Sequence, residues 1–404
     1  EEFFREGHLI HKPPTALSIF VQGLEPTLGR SIPLRSGVRD LQWSPAGVDP
    51  MLDVFPRLGL GVVVQIVISL FVLLFTYDAI SGEKEGGTLR IVASYPVPRY
   101  LLLLAKVFGA LIPILAAFGL PTLLGIAVLL LMPDVDLDST DLGRLAMILT
   151  AFLLYLVSFT CAGLFASALT HRAATAFVLS LALWLSVVVV LPRLSLVVAS
   201  GVRPAPSPHL LAAELSEVGN RYLQKWYDLI EKWGEEHPRW RETAEGREAH
   251  EKYRADLRET VGIESEPEKT RLKEAFENRY QSWLDLTVTL ARLSPTFALN
   301  NATIRLAGTG LDRHERFSAS RLAHRKIQAR WVIEGKNRDT RRRANPQKYG
   351  EYEWDISDMP RFVYHDAPSS EEVQTAMVDV GLLAIWGLVL FLGACVAMLR
   401  YDLR

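Results

Sequence analysis

The chain has 404 residues, 49% of them hydrophobic, with a mean hydropathy of +0.16 and a formal net charge of −1. Those averages blend two unlike materials: five nearly uncharged apolar runs, and a tract over residues 204–366 that is dense in Glu, Arg, Lys and aromatics. A near-neutral balance argues against a nucleic-acid binder, which needs a basic surface to neutralise phosphates. Cys161 and Cys395 both lie inside apolar runs and suggest neither a disulfide framework nor a zinc site.

Residues 1–57 are punctured by prolines, among them Pro13, Pro26, Pro33, Pro45 and Pro56, which predicts an irregular segment with one short helix near residues 18–28. Residues 58–77 form the first uncharged run; a helix rising ~1.5 Å per residue over that length crosses a ~30 Å hydrocarbon core. The next stretch, 78–100, is charged and stopped by Tyr95-Pro96-Val97-Pro98. It reads as an amphipathic surface helix, with Ile80, Leu89, Val92 and Ala93 toward the membrane and Glu83, Lys84, Glu85 and Arg90 toward water.

Residues 101–132 make a second span in which Lys106 can snorkel to the interface and Pro113 and Pro121 predict a kink or tilt. The third and fourth spans, 145–169 and 173–191, are separated only by Thr170-His171-Arg172, so they form an antiparallel hairpin; Pro192-Arg193 ends or breaks the fourth. The fifth span, 380–399, is followed by Arg400 and Arg404.

Basic residues near span ends decide orientation. The joins 78–100 and 170–172 and the C-terminal tail carry Lys84, Arg90, Arg99, Lys106, Arg172, Arg400 and Arg404, whereas the opposite loop, 133–144, is acidic, although Arg57 and Arg193 weigh the other way. The first group is therefore expected in the cytosol and the large polar tract outside. A visible chain that starts outside predicts a sixth span upstream of residue 1. The expected fold is an all-α polytopic membrane protein with five visible transmembrane helices and a mainly helical extracytoplasmic domain. Its expected divisions are an extracytoplasmic segment 1–57, a transmembrane domain 58–198, an extracytoplasmic domain 199–377, and a last span with a cytosolic tail, 378–404.

Within the outer tract, Tyr222, Trp226, Leu229, Ile230 and Trp233 recur at helical spacing, as do Leu272, Phe276, Tyr280, Trp283 and Leu284. A long helical hairpin with these stripes as core is the simplest arrangement, and 296–333 continues helically after Ser294-Pro295 before 345–368 reverts to loop.

Catalytic chemistry finds no foothold. His250-Glu251 and His314-Glu315 begin like a zinc-protease helix, but Arg254 and Ser318 stand where the second ligand belongs. The sequence contains no GxxxxGK[ST] phosphate loop, so any ATP drive must come from another chain. No catalytic or metal-binding residue is expected. Lys106, Arg193 and Asp379 are the charges near span ends, which disfavours a proton-coupled carrier or charged channel.

Residues 83–106, with Glu83 or Glu85, then Gly87-Thr88-Leu89, Pro96, Pro98-Arg99 and Lys106, resemble the first cytosolic join of ABC-2 type ABC transporter permeases. The resemblance extends through Leu17-Ser18-Ile19-Phe20, Gly23-Leu24-Glu25, Leu293-Ser294-Pro295, Leu306-Ala307-Gly308-Thr309-Gly310, Arg313-His314, Phe317 and Met359-Pro360-Arg361-Phe362. These are similar to signatures of a bacterial subgroup with a large extracytoplasmic insertion, related to the nitrous-oxide-reductase accessory permease.

That likeness implies a coupling helix docking on an ABC ATPase through Glu83, Glu85, Gly87, Thr88, Leu89, Arg90, Pro96 and Arg99, with His171 and Arg172 beside it. It also implies an extracytoplasmic signature made by Ser294, Pro295, Ala307, Gly308, Thr309, Gly310, His314 and Phe317. The implied protein is a non-catalytic inner-membrane subunit that binds no cofactor itself, with ATP and Mg in the partner ATPase and a second permease subunit alongside. It would export a lipid-like or amphipathic substrate. The alternative is a mechanotransmission subunit acting on a periplasmic or lipoprotein partner.

Overall fold

The structure, a computed structural model, describes residues 8–13, 15–25, 31–34, 59–132, 138–343, 360–364 and 370–400. In chain order a short antiparallel pair, β1 (His8–His11) and β2 (Ser31–Leu34), flanks a 3-10 turn at Ala16–Ile19. Helices follow: α1 (Leu60–Glu85), α2 (Thr88–Ser94), α3 (Arg99–Leu131), α4 (Ser139–Leu169), α5 (Ala173–Val202), α6 (Pro208–Glu236), α7 (Ala244–Ala291), α8 (Pro295–Ala307), α9 (Leu311–Arg343) and α10 (Ser370–Leu399). Five of them, α1, α3, α4, α5 and α10, are long and apolar enough to cross a membrane. The protein is an all-α polytopic membrane protein with one small two-stranded ribbon.

Each span is longer than its apolar run because local signals set the ends. Asp138 starts α4 ahead of the uncharged stretch by accepting from Ser139 N at 2.7 Å and Thr140 Oγ1 at 3.1 Å, bonds that also hold its carboxyl below the usual range. At the start of the stretch expected to be helical near 18–28 lies the 3-10 turn Ala16–Ile19; residues 26–28 of that stretch, residues 133–137, and most of 1–57 and 345–368 lie outside the described residues.

The chain divides into two compact units, residues 1–192 with 292–404, and residues 193–291. In the first, α4 is the most enclosed span and packs against α1, α3, α5, α8 and α10. Small residues allow the close approaches expected of helices packed in a bilayer. A Cβ on Gly163 would sit 1.9 Å from Thr76 Oγ1 of α1, and Ser158 Oγ donates to Leu383 O of α10 at 3.0 Å beside Gly387.

The tract expected as one outer domain, 199–377, is split: residues 292–307 return to the span bundle. The reason is the character of α8, whose Ala298, Leu299, Ala302 and Leu306 are buried against α4 and α10. The helical stretch expected over 296–333 is also interrupted, because Gly308 (φ +66) ends α8 in a left-handed turn with Gly308 N on Arg305 O and Thr309 N on Ile304 O.

The second unit contains the end of α5 and the hairpin of α6 and α7. At its closed end Trp233 of the first expected stripe does pack: it stacks on Tyr253, and the ring of the buried His250 lies 3.8 Å from the Trp240 ring. His250 is thus held by indole faces, and no group of potential metal ligands occurs among the described residues.

Candidate functional site

The join between α1 and α3 is not one amphipathic helix but an elbow of two short ones. The last turn of α1, Ser81–Glu85, stops at Gly86, and Gly87 takes a left-handed φ of +73 before α2 begins at Thr88. Such a φ strains any side-chain-bearing residue, so glycine sets the bend. The expected apolar face survives in Ile80 and Leu89, both buried.

The expected charged face is divided: Glu85 and Arg90 are exposed, whereas Glu83 and Lys84 are partly buried and bonded to other helices. Glu83 Oε1 pairs with Lys106 Nζ of α3 at 2.7 Å, and the same ammonium donates to Ala79 O at 2.6 Å. Lys84 donates to Ala168 O and, at 3.0 Å, to Thr170 O, taking up carbonyls at the C-terminal end of α4. Glu85 Oε2 accepts from Ala173 N at 3.0 Å, a carboxylate at the positive end of α5. Glu83 and Lys84 turn inward here because an opposite charge and helix-end carbonyls are within reach.

Beneath them lies a serine pair that the sequence reading missed. Ser167 Oγ accepts from Ile80 N at 3.0 Å and Ser81 N at 2.9 Å, and donates to Ser81 Oγ at 3.2 Å; all three residues are fully buried. On the far side, Arg99 Nη1 donates to Met398 O at 2.6 Å and Leu399 O at 3.2 Å, capping α10. The elbow is therefore bonded to every other spanning helix. Exposed at its surface are Ile91, Tyr95, Pro96, Val97 and Tyr100, together with Arg90, His171 and Arg172. Thr88 Oγ1 makes only a long 3.4 Å contact to Glu83 O.

A family model described as ABC-2 family transporter protein matches residues 15–230, more than half of the chain. The chain belongs to the ABC-2 transporter family. A second family model, a domain of unknown function (DUF3526), matches residues 213–365. Among curated proteins the chain is similar to two, each described as a probable ABC transporter permease protein NosY. That of Pseudomonas aeruginosa is 45% identical over 73 residues, 17% of this chain and 25% of the relative, and that of Stutzerimonas stutzeri is 37% identical over 98 residues, 23% and 32% respectively. The chain thus spans about a quarter to a third of those relatives' length. No solved structure matches.

In this ABC-2 protein the signature residues separate into two places. Ser294 and Pro295 begin α8 inside the bundle, where Ser294 Oγ donates to Val187 O at 2.9 Å. That carbonyl lies in a π-helical segment of α5, Ser186–Val190, and α1 carries another at Val63–Ile68. Wide turns of this kind free carbonyls for side-chain donors. Accordingly Tyr155 of α4 donates to Gln65 O at 2.9 Å and lies 3.2 Å from Thr296 Oγ1, while Trp184 Nε1 donates to Ser69 Oγ at 2.9 Å.

Ala307, Gly308, Thr309 and Gly310 instead receive the N-terminal segment. Leu24 N donates to Thr309 O at 3.1 Å, and Arg313 Nη2 donates to Pro13 O at 3.0 Å. Buried Glu25 sits between Lys12 at 3.3 Å and Arg313 at 3.4 Å. Phe317 is buried edge-on to Tyr364, and His314 has its pKa lowered by burial and by Lys12 and Arg321. The two halves of the motif set, around Gly23 and around Thr309, are one structural clasp.

Asp379, read from sequence as a charge near a span end, is fully enclosed. Its Oδ1 lies 2.8 Å from Arg292 Nε, and its Oδ2 accepts from Arg292 Nη2 at 3.5 Å and from Asn301 Nδ2 at 2.6 Å. It ties α10 to α8.

Proposed function

We propose that this chain is the permease subunit of an ATP-driven ABC transporter of the bacterial inner membrane, with the elbow at residues 78–106 taking the stroke of a separate ATPase chain that binds ATP and Mg. The observation that carries this reading is the elbow's construction: an exposed rim of Ile91, Tyr95 and Val97 beside a network of hydrogen bonds to all four other spans, anchored on the buried Ser81–Ser167 pair. A push on such an element moves helices as bodies rather than dissipating in a loop. Two permease subunits would enclose the pathway, and its apolar span surfaces suit export of a lipid-like or amphipathic substrate.

The inward charges change which residues should contact the ATPase. Glu83, Lys84, Glu85 and Arg99 hold the elbow together, so docking falls to the exposed set around Ile91 and Tyr95. The test is co-purification of the native complex carrying Ile91→Asp with Tyr95→Ala. Loss of the ATPase from a permease with an unchanged melting temperature is expected; an ATPase retained at full stoichiometry and activity refutes the docking role.

A second reading is favoured by one feature, the 48-residue α7, which at ~1.5 Å per residue is about 72 Å long. A helix of that reach, in a unit of its own, suits a lever acting on an extracytoplasmic protein without transport. A retained external protein in pull-downs with the intact chain, together with ATPase activity unaffected by lipid substrates, would favour it.

A further inference from the structure

The base of the α6–α7 hairpin is open. A cavity of about 830 Å³ lies between the start of α6 and the last third of α7, inside the size range of ~300–1,000 Å³ typical of small-molecule sites. Its apolar walls come from Val202, Leu210, Leu211, Leu272 and Phe276, and its polar rim from Arg203, Arg279 and Glu214. Leu272 and Phe276 belong to a stripe that the sequence assigns wholly to core, yet the hairpin leaves them only partly covered, and Leu210 and Val202 at the mouth are about two-thirds exposed.

The position of the cavity identifies what covers these surfaces. Val202 is the last residue of the spanning helix α5, and Pro204 and Pro206 stop the helix there. At 30 residues and ~1.5 Å per residue α5 is about 45 Å long, the thickness of a bilayer with its headgroups at ~40–45 Å. Val202 and Arg203 thus follow directly on the membrane-spanning part of α5, with Leu194, Val197 and Val198 exposed along its last turns.

We propose that this cavity holds a phospholipid with an acidic headgroup from the adjoining leaflet, one acyl chain against Leu210, Leu272 and Phe276 and the phosphate between Arg203 and Arg279. Arg203 is held in place by donating from Nη1 to Ser282 O at 2.8 Å, which leaves the rest of its guanidinium fork for a phosphate oxygen. Two guanidiniums against one carboxylate, Glu214, give the rim a net positive charge, so a zwitterionic headgroup is the poorer match. A water-soluble polar ligand would leave the apolar wall uncovered. This inference requires α5 to be a membrane span but not that an ATPase docks at the elbow.

The test uses the intact chain in phosphatidylcholine nanodiscs doped with phosphatidylglycerol bearing a photoactivatable acyl chain, with the equivalent phosphatidylcholine probe as the comparison. Cross-linked peptides should map to residues 202–214 and 272–282 and be much richer with the acidic probe. Arg279→Glu should lower that labelling by roughly tenfold or more, the effect of one lost charge-assisted hydrogen bond. Arg279→Lys should restore much of it, and Leu210→Asp should displace the chain. Both positions are exposed, so melting temperatures should not change. Labelling confined to the other spans, equal labelling by both probes, protection of the groove by a co-purifying polypeptide, or labelling unchanged in both Arg279→Glu and Leu210→Asp would each overturn the proposal. None of these results depends on whether the elbow variants lose their ATPase.

Discussion

Ser167→Ala isolates the buried joint of the elbow. It removes one oxygen, but that oxygen is the acceptor for two main-chain donors, Ile80 N and Ser81 N, in a place closed to water. A buried donor left without an acceptor costs ~1–3 kcal/mol, so the pair costs ~2–6 kcal/mol, against which the better helix propensity of Ala returns only ~0.5 kcal/mol. The loss falls on local opening of the elbow, because α4 keeps its other packing partners. At ~1.4 kcal/mol per tenfold, amide exchange over residues 77–86 should quicken by at least ~10-fold. Hydrogen exchange followed by mass spectrometry in nanodiscs measures it. The control, Ser81→Ala, loses a 3.2 Å hydroxyl contact and a back-bond to Tyr77 O but leaves both amides satisfied, so it should cost only ~0.5–1.5 kcal/mol. Equal exchange in Ser167→Ala and the unaltered protein, or an equal effect of the two variants, would show that the serine does not hold the elbow.

Three further outcomes follow from buried contacts. Gly163→Ala places a Cβ 1.9 Å from Thr76 Oγ1, so α1 and α4 must part; a loss of ~1–3 kcal/mol, read as a lower melting temperature in detergent, is expected, and Thr76→Ala in the same chain should recover part of it. Asp379→Ala removes the enclosed carboxylate facing Arg292 and Asn301; because Arg292 is a quarter exposed, the loss should fall at the low end of the ~3–5 kcal/mol seen for broken buried pairs, with Asp379→Asn milder. His314 has a folded pKa below its unfolded value, so the unfolded chain binds more protons between the two. Stability should therefore fall as pH drops through about 6.5, the unfolded value, and level off below the folded one. Melting temperatures across that range should show a smaller drop in His314→Gln.

How much could be read beforehand differs by element. The five spans were legible because length and lack of charge answer directly to bilayer thickness, and the hairpin of α6 and α7 because its aromatic stripes repeat at helical spacing. Amphipathicity misled at Glu83 and Lys84: period alone sends both to water, but the free carbonyls of α4 and Lys106 are long-range partners that no local pattern encodes; Glu85 is exposed as expected, though it caps α5. Ser294 was legible as part of a motif yet not as a place, since nothing in a short polar stretch reveals that a π-helical segment elsewhere presents a carbonyl to it. A usable signal existed in α4, where Ser158, Gly163 and Ser167 recur at intervals of four to five residues in a largely apolar run that Thr150 and Thr160 also interrupt.

Those interruptions explain why one helix can serve the whole bundle. Tyr155 reaches α1 and α8, Ser158 reaches α10, Gly163 admits α1, and Ser167 holds the elbow. The twelve residue steps from Tyr155 to Ser167 span about 18 Å at ~1.5 Å per residue, a stiff length with bonded contacts at both ends. The elbow and α8 are therefore bonded to opposite ends of one stiff stretch of α4, and α8 is joined to α10 through Asn301 and Asp379 and leads into the N-terminal clasp at Thr309. Force applied on one face thus has a continuous path of buried polar bonds to the other. Both readings of function need such a path: an exporter uses it to part the spans, and a lever uses it to move what lies beyond them.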